Sequence, residues 1–291
     1  MLTPILTLKE HTALELARKA QSAQLELSLD MSRTTTTATI GADVWTVGGE
    51  SFPYLDGCKE NAVFYWTGSA FELASRFTKS LIKLVPTPWG PPTFHIDGVK
   101  MLPTAHTCPF EDARRKVDLI KPQGKTILDT CGGLGYFASW CLKGQARQIV
   151  SYEINPDVVW LRSLNPWSPA VGGALSLTLG DIGKQVSSLA SASFDAILHD
   201  PPRFGLAGDL YSQIFYDHLA RVLKPGGLLF HYTGTPNMLT SGRNVPNEVL
   251  KRLVKAGFKA EIIGDGLLAE KVMRKAPSRT APRPPRPGYA R

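Results

Sequence analysis

Hydrophobic residues follow two different patterns along the chain, and the change comes near residue 105. Before that point, leucines alternate with polar residues over 25–29 at the period of a half-buried strand, after a stretch with helical spacing at 14–20. Further short apolar runs, separated by glycine and proline, predict strands over residues 33–40, 43–47, 62–67, 81–85 and 93–96. We therefore predict an N-terminal β-rich accessory domain over residues 1–104.

Beyond residue 105, short apolar runs alternate with segments of helical length, which is typical of a parallel sheet covered by helices. These runs cover residues 126–129, 148–153, 176–181, 194–200 and 228–232. Two last runs, 260–264 and 268–273, are joined across Asp265 and Gly266 and predict a hairpin. For residues 105–275 we predict the α/β class, with a doubly wound sheet closed by one antiparallel strand.

Positive charge is concentrated at the C-terminus. The net charge is +8, and seven basic residues without an acidic one lie between residues 271 and 291, which leaves +1 for residues 1–270. This segment is also rich in proline, which favours extended, solvated chain. We predict a basic, disordered tail over residues 276–291. Such a tail can pair with phosphates, so RNA is a predicted partner; an ordinary solvated terminus is the alternative.

Composition excludes several classes of protein. With 43% hydrophobic and 20% charged residues, the chain lies in the globular range. The longest uncharged stretch, residues 163–180, is broken by prolines and glycines, and the first eight residues lack the basic start of a secretory signal. The four cysteines show no CxxC spacing, so we expect neither a metal site nor disulfides. These features predict a cytoplasmic protein that does not associate with membranes.

A glycine-rich loop follows the first strand of the α/β region. It reads D-T-C-G-G-L-G over residues 129–135 and leads into a helix predicted to begin at Tyr136. In a parallel sheet, ligands bind beyond the carboxyl ends of the strands, and residues without a Cβ let backbone amides approach them. Glu153 ends the next strand, where a carboxylate can accept hydrogen bonds from two ribose hydroxyls, and Asp181 is placed to meet an adenine amino group. We predict a nucleotide-like cofactor bound by Asp129, Cys131, Gly133, Gly135, Glu153 and Asp181.

Two other interpretations of this loop stay open on the residues alone. Residues 133–138 also fit the G-x-G-x-x-G/A pattern of dinucleotide-binding proteins, and the glycines could serve only a tight turn. Asp129 argues against a dinucleotide, because a carboxylate in this turn suits a cationic amino-acid group better than a pyrophosphate. The final antiparallel strand is also not required by a dinucleotide-binding fold.

Four motifs occur in order at the ends of predicted strands. They are D-x-C-x-G-x-G at 129–135, Y-E-I-N at 152–155, G-D at 180–181 and D-P-P-R at 200–203. With them, residues 110–275 resemble the class I S-adenosylmethionine-dependent methyltransferases. The resemblance implies a Rossmann-like methyltransferase fold and S-adenosyl-L-methionine as the cofactor. The string L-H-D-P-P-R-F at 198–204 further resembles a group of predicted methyltransferases found mostly in archaea.

The D-P-P motif is similar to that of amino-methyltransferases acting on adenine, guanine or glutamine. The resemblance implies that the Asp200 carboxylate and the Pro201 carbonyl accept N–H bonds from an acceptor amine and direct its lone pair at the methyl group. The predicted catalytic residues are His199, Asp200, Pro201 and Pro202. Arg203 stands where those enzymes have an aromatic residue, so it could instead hold a phosphate or carboxylate. Two further alternatives are that the prolines only end a strand and that His199 is a packed strand residue.

Residues 209–216 and 223–227 also resemble spermidine synthases, which share the fold and transfer an aminopropyl group. Their glycine loop usually carries an aspartate where this chain has Leu134, and that aspartate disfavours a donor with its own carboxylate. We therefore predict a transferase that methylates a nitrogen of an RNA base, or of another amine or amide, with a small amine among the candidate substrates. Aminopropyl transfer to a polyamine and non-catalytic RNA binding on the same fold are the alternative functions.

Overall fold

The N-terminal region consists of short antiparallel strands around one helix. The computed structural model describes residues 3–234 and 244–273. The N-terminal elements are β1 (Ile5–Leu6), α1 (Leu8–Lys19), β2 (Gln24–Leu27), β3 (Thr36–Ile40), β4 (Val44–Val47), β5 (Glu50–Pro53), β6 (Phe64–Trp66), β7 (Phe71–Leu73), β8 (Ser75–Phe77), β9 (Leu81–Val85), β10 (Thr93–Ile96) and β11 (Val99–Lys100). The strands form three small sheets, in the orders β1-β6-β7, β2-β3-β4-β5 and β11-β10-β9-β8. The predicted β-rich character of this region is confirmed.

An aromatic cluster joins two of these sheets. Trp45 and Phe52 are fully buried, with ring centroids 4.7 Å apart, and Phe71 of the neighbouring sheet packs against both. Helix α1 covers the same core and begins with a capping box, in which the Thr7 hydroxyl and the Glu10 carboxylate each satisfy a backbone amide. The apolar residues of these short strands therefore find partners across sheets as well as within one sheet.

Residues after 105 form a seven-stranded sheet with helices on both faces. Its strands are β12 (Thr126–Asp129), β13 (Gln148–Glu153), β14 (Leu175–Leu179), β15 (Phe194–His199), β16 (Leu223–Tyr232), β17 (Phe258–Ile263) and β18 (Gly266–Lys271). The helices are α2 (Pro109–Ile120), α3 (Tyr136–Lys143), α4 (Pro156–Leu164), α5 (Ile182–Gln185), α6 (Gln213–Val222) and α7 (Val245–Lys255). The strand order is β14-β13-β12-β15-β16-β18-β17. Strand β18 runs in the direction opposite to the other six strands and pairs antiparallel with both β16 and β17. The predicted fold class and its antiparallel strand are confirmed.

Two hydrophobic cores cover the faces of this sheet. Every residue of β12 is buried, as expected for a parallel strand with helices on both sides. Ile127 faces α2, α3 and α4, whereas Leu128 faces α6 and α7. The first core continues into the N-terminal region through residues such as Ile82 and Phe94. The predicted boundary at residue 104 therefore falls between two regions that share one core.

The structure differs from the predicted elements in a few places. Five strands were not predicted, namely β1, β5, β7, β8 and β11, because none exceeds four residues and most of their side chains are exposed or half-buried. Strand β16 begins at Leu223, earlier than predicted. The final hairpin turns at Gly264 and Asp265 rather than at Asp265 and Gly266, because Gly264 has a φ of +56° and Gly266 already pairs with Tyr232.

Within residues 3–234 and 244–273, no helix combines the length and hydrophobicity needed to cross a lipid bilayer. The tail predicted over residues 276–291, which carries the proposed RNA contact, lies outside the described residues.

Candidate active site

The carboxyl ends of the central strands open on a cavity of about 550 Å³, within the size range of small-molecule sites. It lies where the sheet changes direction, because the chain extends from β12 to β13 on one side and to β15 on the other. The α/β side of the lining includes Asp112, Lys116, Cys131, Gly132, Gly133, Leu134, Glu153, Asp200, Pro201, Pro202, Arg203 and Tyr232. The opposite wall comes from β10, β11 and residues 101–103. The N-terminal region thus forms part of the site.

The loop between β12 and α3 requires glycine at residues 132 and 135, because side chains of neighbouring elements pack closely against its inner side. A Cβ on residue 132 would lie 2.4 Å from the Ser151 hydroxyl oxygen, and a Cβ on residue 135 would lie 2.5 Å from Cζ of Arg162. Gly135 also has a φ of +81° and immediately precedes α3. The loop is therefore pressed against polar side chains on its inner side, while Gly133 faces the cavity near the Phe94 ring.

A buried ionic group lies behind this loop. Asp129 is 1% exposed; its Oδ2 accepts a hydrogen bond from the Ser151 hydroxyl at 2.8 Å, and within the described residues Oδ1 accepts none. Burial raises the pKa of Asp129 to about 6, against the lowering effects of Ser151 and the Arg162 charge. Arg162 is also buried, and its three guanidinium nitrogens donate no hydrogen bond in the described part of the chain. Burial lowers the pKa of Arg162, and the nearby carboxylates of Asp129 and Glu153 oppose this shift only in part.

Glu153 carries its carboxylate from the end of β13 into the cavity. Oε2 accepts a hydrogen bond from the Gly133 amide at 2.9 Å, and Oε1 accepts one from the Asn155 amide at 2.9 Å. Burial raises the pKa of Glu153, and these amides oppose the shift. Each oxygen keeps a further lone pair, so the fixed carboxylate can accept two more hydrogen bonds, as a pair of vicinal hydroxyls requires.

A second ionic group surrounds Asp200 at the end of β15. Lys116 of α2 is buried; its Nζ lies 2.7 Å from Oδ2 of Asp112, 3.7 Å from Oδ2 of Asp265 and 4.0 Å from the centroid of the Tyr232 ring. Burial raises the pKa of Asp200 to about 6; Lys116 lowers it, and Asp112 and Asp265 raise it. Burial alone would lower the pKa of Lys116, but the three carboxylates together raise it. Asp200 therefore belongs to a coupled group drawn from α2, β15 and the β17–β18 turn.

Two histidines lie beneath this end of the cavity without lining it. The Nδ1 atom of His199 is 2.7 Å from the Thr130 hydroxyl, and its Nε2 is 3.1 Å from the Leu210 carbonyl oxygen. The carbonyl can only accept, so Nε2 donates and Nδ1 accepts from Thr130. Burial lowers the pKa of His199 to about 3 and that of His231, whose ring centroid is 4.4 Å away, well below its usual value. His199 is therefore a neutral, buried ring, which agrees with the alternative that it is a packed strand residue.

The cavity brings some of the predicted site residues together and leaves others outside. Its lining includes Cys131, Gly133, Glu153, Asp200, Pro201 and Pro202, but not Asp129, Gly135, Asp181 or His199. Asp181 instead caps α5, where its side chain accepts a hydrogen bond from the Gly183 amide at 2.9 Å. The roles predicted for all these residues stay predictions.

Sequence reasoning missed the two buried cations and their partners. Arg162 is four residues after Val158, on the same buried helix face, which marks it as a charge placed among apolar positions. Asp112 and Lys116 show the same signal, since they are four residues apart next to the apolar positions of α2. Asp265 shows no such signal, because it lies in a turn, where the sequence pattern predicts a hairpin but no contact with α2.

Known proteins resemble this chain at several levels of similarity, although no protein-family model matches it. It is 37% identical over 250 residues to the uncharacterized protein MJ1233 of Methanocaldococcus jannaschii, covering 82% of this chain and 85% of that protein. It is 26% identical over 190 residues to "Putative protein N5-glutamine methyltransferase MJ0928" of the same organism, over 57% of this chain and 88% of that protein. Among solved structures, spermidine synthase in complex with the transition-state analogue AdoDATO has a TM-score of 0.55 and 16% identity, over 72% of this chain and 79% of that one.

Proposed function

Since the chain belongs to the same family as MJ1233 of M. jannaschii and has a methyltransferase-like fold, we propose that it transfers a methyl group from S-adenosylmethionine to a nitrogen atom of an acceptor. The observation that carries the proposal is the single cavity that the glycine loop, Glu153 and Asp200 share. We name the part lined by the loop and Glu153 the donor end, and the part lined by Asp200, Lys116 and Tyr232 the acceptor end.

The residues of the donor end fit S-adenosylmethionine. Glu153 offers two acceptor oxygens for the ribose hydroxyls, and Gly133 leaves its loop without a side chain toward the cavity. Asp129 has a buried oxygen without a hydrogen bond in the described residues, and its charge favours a cationic group near the loop. When bound, S-adenosylmethionine supplies a methyl group already activated on a sulfonium. The donor end has therefore only to bind and orient it.

At the acceptor end, Asp200 and the Pro201 carbonyl accept N–H bonds and so hold the acceptor nitrogen in line with the methyl group. Alignment of this kind contributes most of the rate when the electrophile needs no activation. The wall formed by β10, β11 and residues 101–103 excludes water from the transfer. RNA recruited by the basic tail, a small amine and an amide are the acceptor classes that follow from the sequence.

The test supplies two donors. Purified protein is incubated with fractionated cell extract and either S-adenosylmethionine or its decarboxylated form, and mass spectrometry follows the by-product. We expect protein-dependent S-adenosylhomocysteine from S-adenosylmethionine, because the loop has Leu134 in place of an aspartate that would repel the donor's carboxylate. Protein-dependent methylthioadenosine, formed only from the decarboxylated donor, would show aminopropyl transfer instead. Binding of neither donor in calorimetry would reject an enzymatic role and leave the non-catalytic alternative.

A further inference from the structure

At the acceptor end, carboxylates of different burial meet one buried cation: Asp112 is buried, Asp200 is half-buried, and 39% of the Asp265 side chain is exposed. Three carboxylates, those of Asp112, Asp200 and Asp265, surround the one ammonium group of Lys116. They come from three separate elements, so their meeting is a product of the fold rather than of a local motif. Tyr232 adds an aromatic face that Lys116 already covers on one side, and a Cβ on Gly234 would lie 2.8 Å from its hydroxyl oxygen.

Other cations near this group lie toward solvent. Arg115 donates to Oδ1 of Asp112 at 2.8 Å, but 63% of its side chain is exposed, so water screens its charge. Lys100 is exposed and Arg203 is half-buried on the cavity lining. Among the described residues, neither forms an ion pair with the three carboxylates. In the described part of the chain, Lys116 is therefore the buried cation of this group, and Arg115 pairs with Asp112 from the solvent side.

Apart from Lys100 and Arg203, much of the remaining lining on this side of the cavity is apolar. Its lining there includes Ile96, Met101, Leu102, Pro103, Pro109 and Leu206. A neutral polar ligand would lose its hydration against these apolar residues, and an anion that reached Lys116 would also face the carboxylates of Asp112 and Asp200. An alkyl chain that ends in a cation satisfies both features, since the chain contacts the apolar wall and the cation compensates the unpaired charge.

On the basis of the proposed function, we propose that the acceptor is a small aliphatic amine that enters as an ammonium ion and is bound by Asp112 and Asp200 on the cavity lining, with the charge of Asp265 close by on the far side of the ion-pair group. Asp200 accepts one ammonium proton, which frees the nitrogen lone pair. That lone pair forms the new N–C bond as the bond between methyl carbon and sulfur breaks and its electron pair stays on sulfur. The product leaves as a methylated ammonium ion, and Asp200 returns its proton to water. The raised pKa of Asp200, about 6, suits a group that must take up and release this proton.

The test measures binding without turnover. Calorimetry on the full chain, with and without S-adenosylhomocysteine, compares n-butylamine with 1-butanol, butyrate and an RNA oligonucleotide. We expect n-butylamine to bind at least about tenfold more tightly than 1-butanol, as for a charge-assisted hydrogen bond, and butyrate not to bind measurably. Affinity for the amine should fall about tenfold from pH 7.5 to pH 5, because Asp200 takes up a proton near pH 6 while the amine stays charged.

Variants separate this inference from the proposed function. Asp200→Asn and Asp265→Asn should each weaken n-butylamine binding while leaving S-adenosylhomocysteine affinity unchanged. Asp118→Asn, an exposed substitution on the same helix α2, is the matched control and should change neither. Equal affinity for butanol and butylamine, or methylation of RNA without any amine binding, would overturn the inference even if the donor binds. Failure of S-adenosylhomocysteine to bind would count against the proposed function instead.

Discussion

Each end of the cavity has a buried cation among carboxylates, yet the two cations are held differently. Arg162 lies behind the glycine loop, outside the cavity lining, and donates no hydrogen bond in the described chain. Lys116 lies on the lining, with an ion pair to Asp112 and an aromatic ring beneath it. At the donor end, the cation lies behind the loop, near the carboxylate of Asp129. At the acceptor end, the cation is part of the surface that a ligand would contact. A donor that many enzymes share needs only a well-supported loop. An acceptor that is specific to one enzyme needs a contact surface of its own.

The largest effect should come from removing the cation at the acceptor end. Lys116→Met removes the buried ammonium group 2.7 Å from the buried Asp112 and leaves that carboxylate only the exposed Arg115, so the free energy of unfolding should fall by about 3–5 kcal/mol. Urea unfolding measures it. Arg162→Met should cost less, because that guanidinium is already buried without hydrogen bonds. The exposed control Lys251→Met should stay within about 0.5 kcal/mol of the wild type. An equal loss in the first two variants would contradict the distinction drawn between the two ends.

A second substitution tests whether the two ends act separately. Asp200→Ala should lower turnover about 100-fold or more, because the acceptor nitrogen loses its alignment, while donor affinity stays the same. Single-turnover assays and calorimetry measure the two quantities. Asp209→Ala, an exposed aspartate farther along the same segment, serves as the control. A parallel loss of donor affinity in Asp200→Ala would mean that the two ends form one indivisible site.

The buried histidine His199 should change how the stability of the protein depends on pH. The pKa of His199 is about 3 in the folded protein and about 6.5 in an unfolded chain, so its stabilising contribution is complete above pH 6.5 and is lost as pH falls toward 3. Between pH 6.5 and 5, protonation of His199 in the unfolded chain should lower the free energy of unfolding of the wild type by about 2 kcal/mol. The His199→Gln protein should not show this loss. Asp129 and Asp200 act in the opposite direction in both proteins, and the comparison cancels them. The exposed control His106→Gln should keep the wild-type slope; a wild-type slope in His199→Gln would show that the ring titrates normally.

The smallest predicted effect concerns the donor end. Glu153→Ala removes two acceptor oxygens from the cavity, and affinity for S-adenosylmethionine should fall at least about tenfold, since water replaces part of the loss. Calorimetry measures it, with Glu261→Ala, an exposed residue of β17, as the control. Unchanged affinity in a folded Glu153→Ala protein would remove this residue from the donor site.

The donor end could be predicted because its residues are contiguous in sequence or end neighbouring parallel strands. A buried run such as 126–129, followed at once by glycines, specifies both the strand and the loop. At the acceptor end, the sequence pointed to Asp200, Pro201 and Pro202, which follow a predicted strand. It did not point to Asp112, Lys116 and Asp265, because these meet through packing of elements that are far apart in the chain. The short strands of the N-terminal region escaped prediction for a related reason. Residues 71–77 have few buried side chains, so their sequence lacks the alternation that marks a strand.

The junction between the two regions has a consequence for how this protein can change over evolutionary time. The buried Tyr136 hydroxyl donates a hydrogen bond to the Pro92 carbonyl oxygen at 2.7 Å, and Phe94 belongs to the core that covers the sheet. A copy that began at residue 105 would lack one wall of the cavity and would expose that core to water. The N-terminal region is therefore not a module that recombination can exchange freely. Anyone who wished to transplant this acceptor specificity into another enzyme would have to move both halves of the chain together.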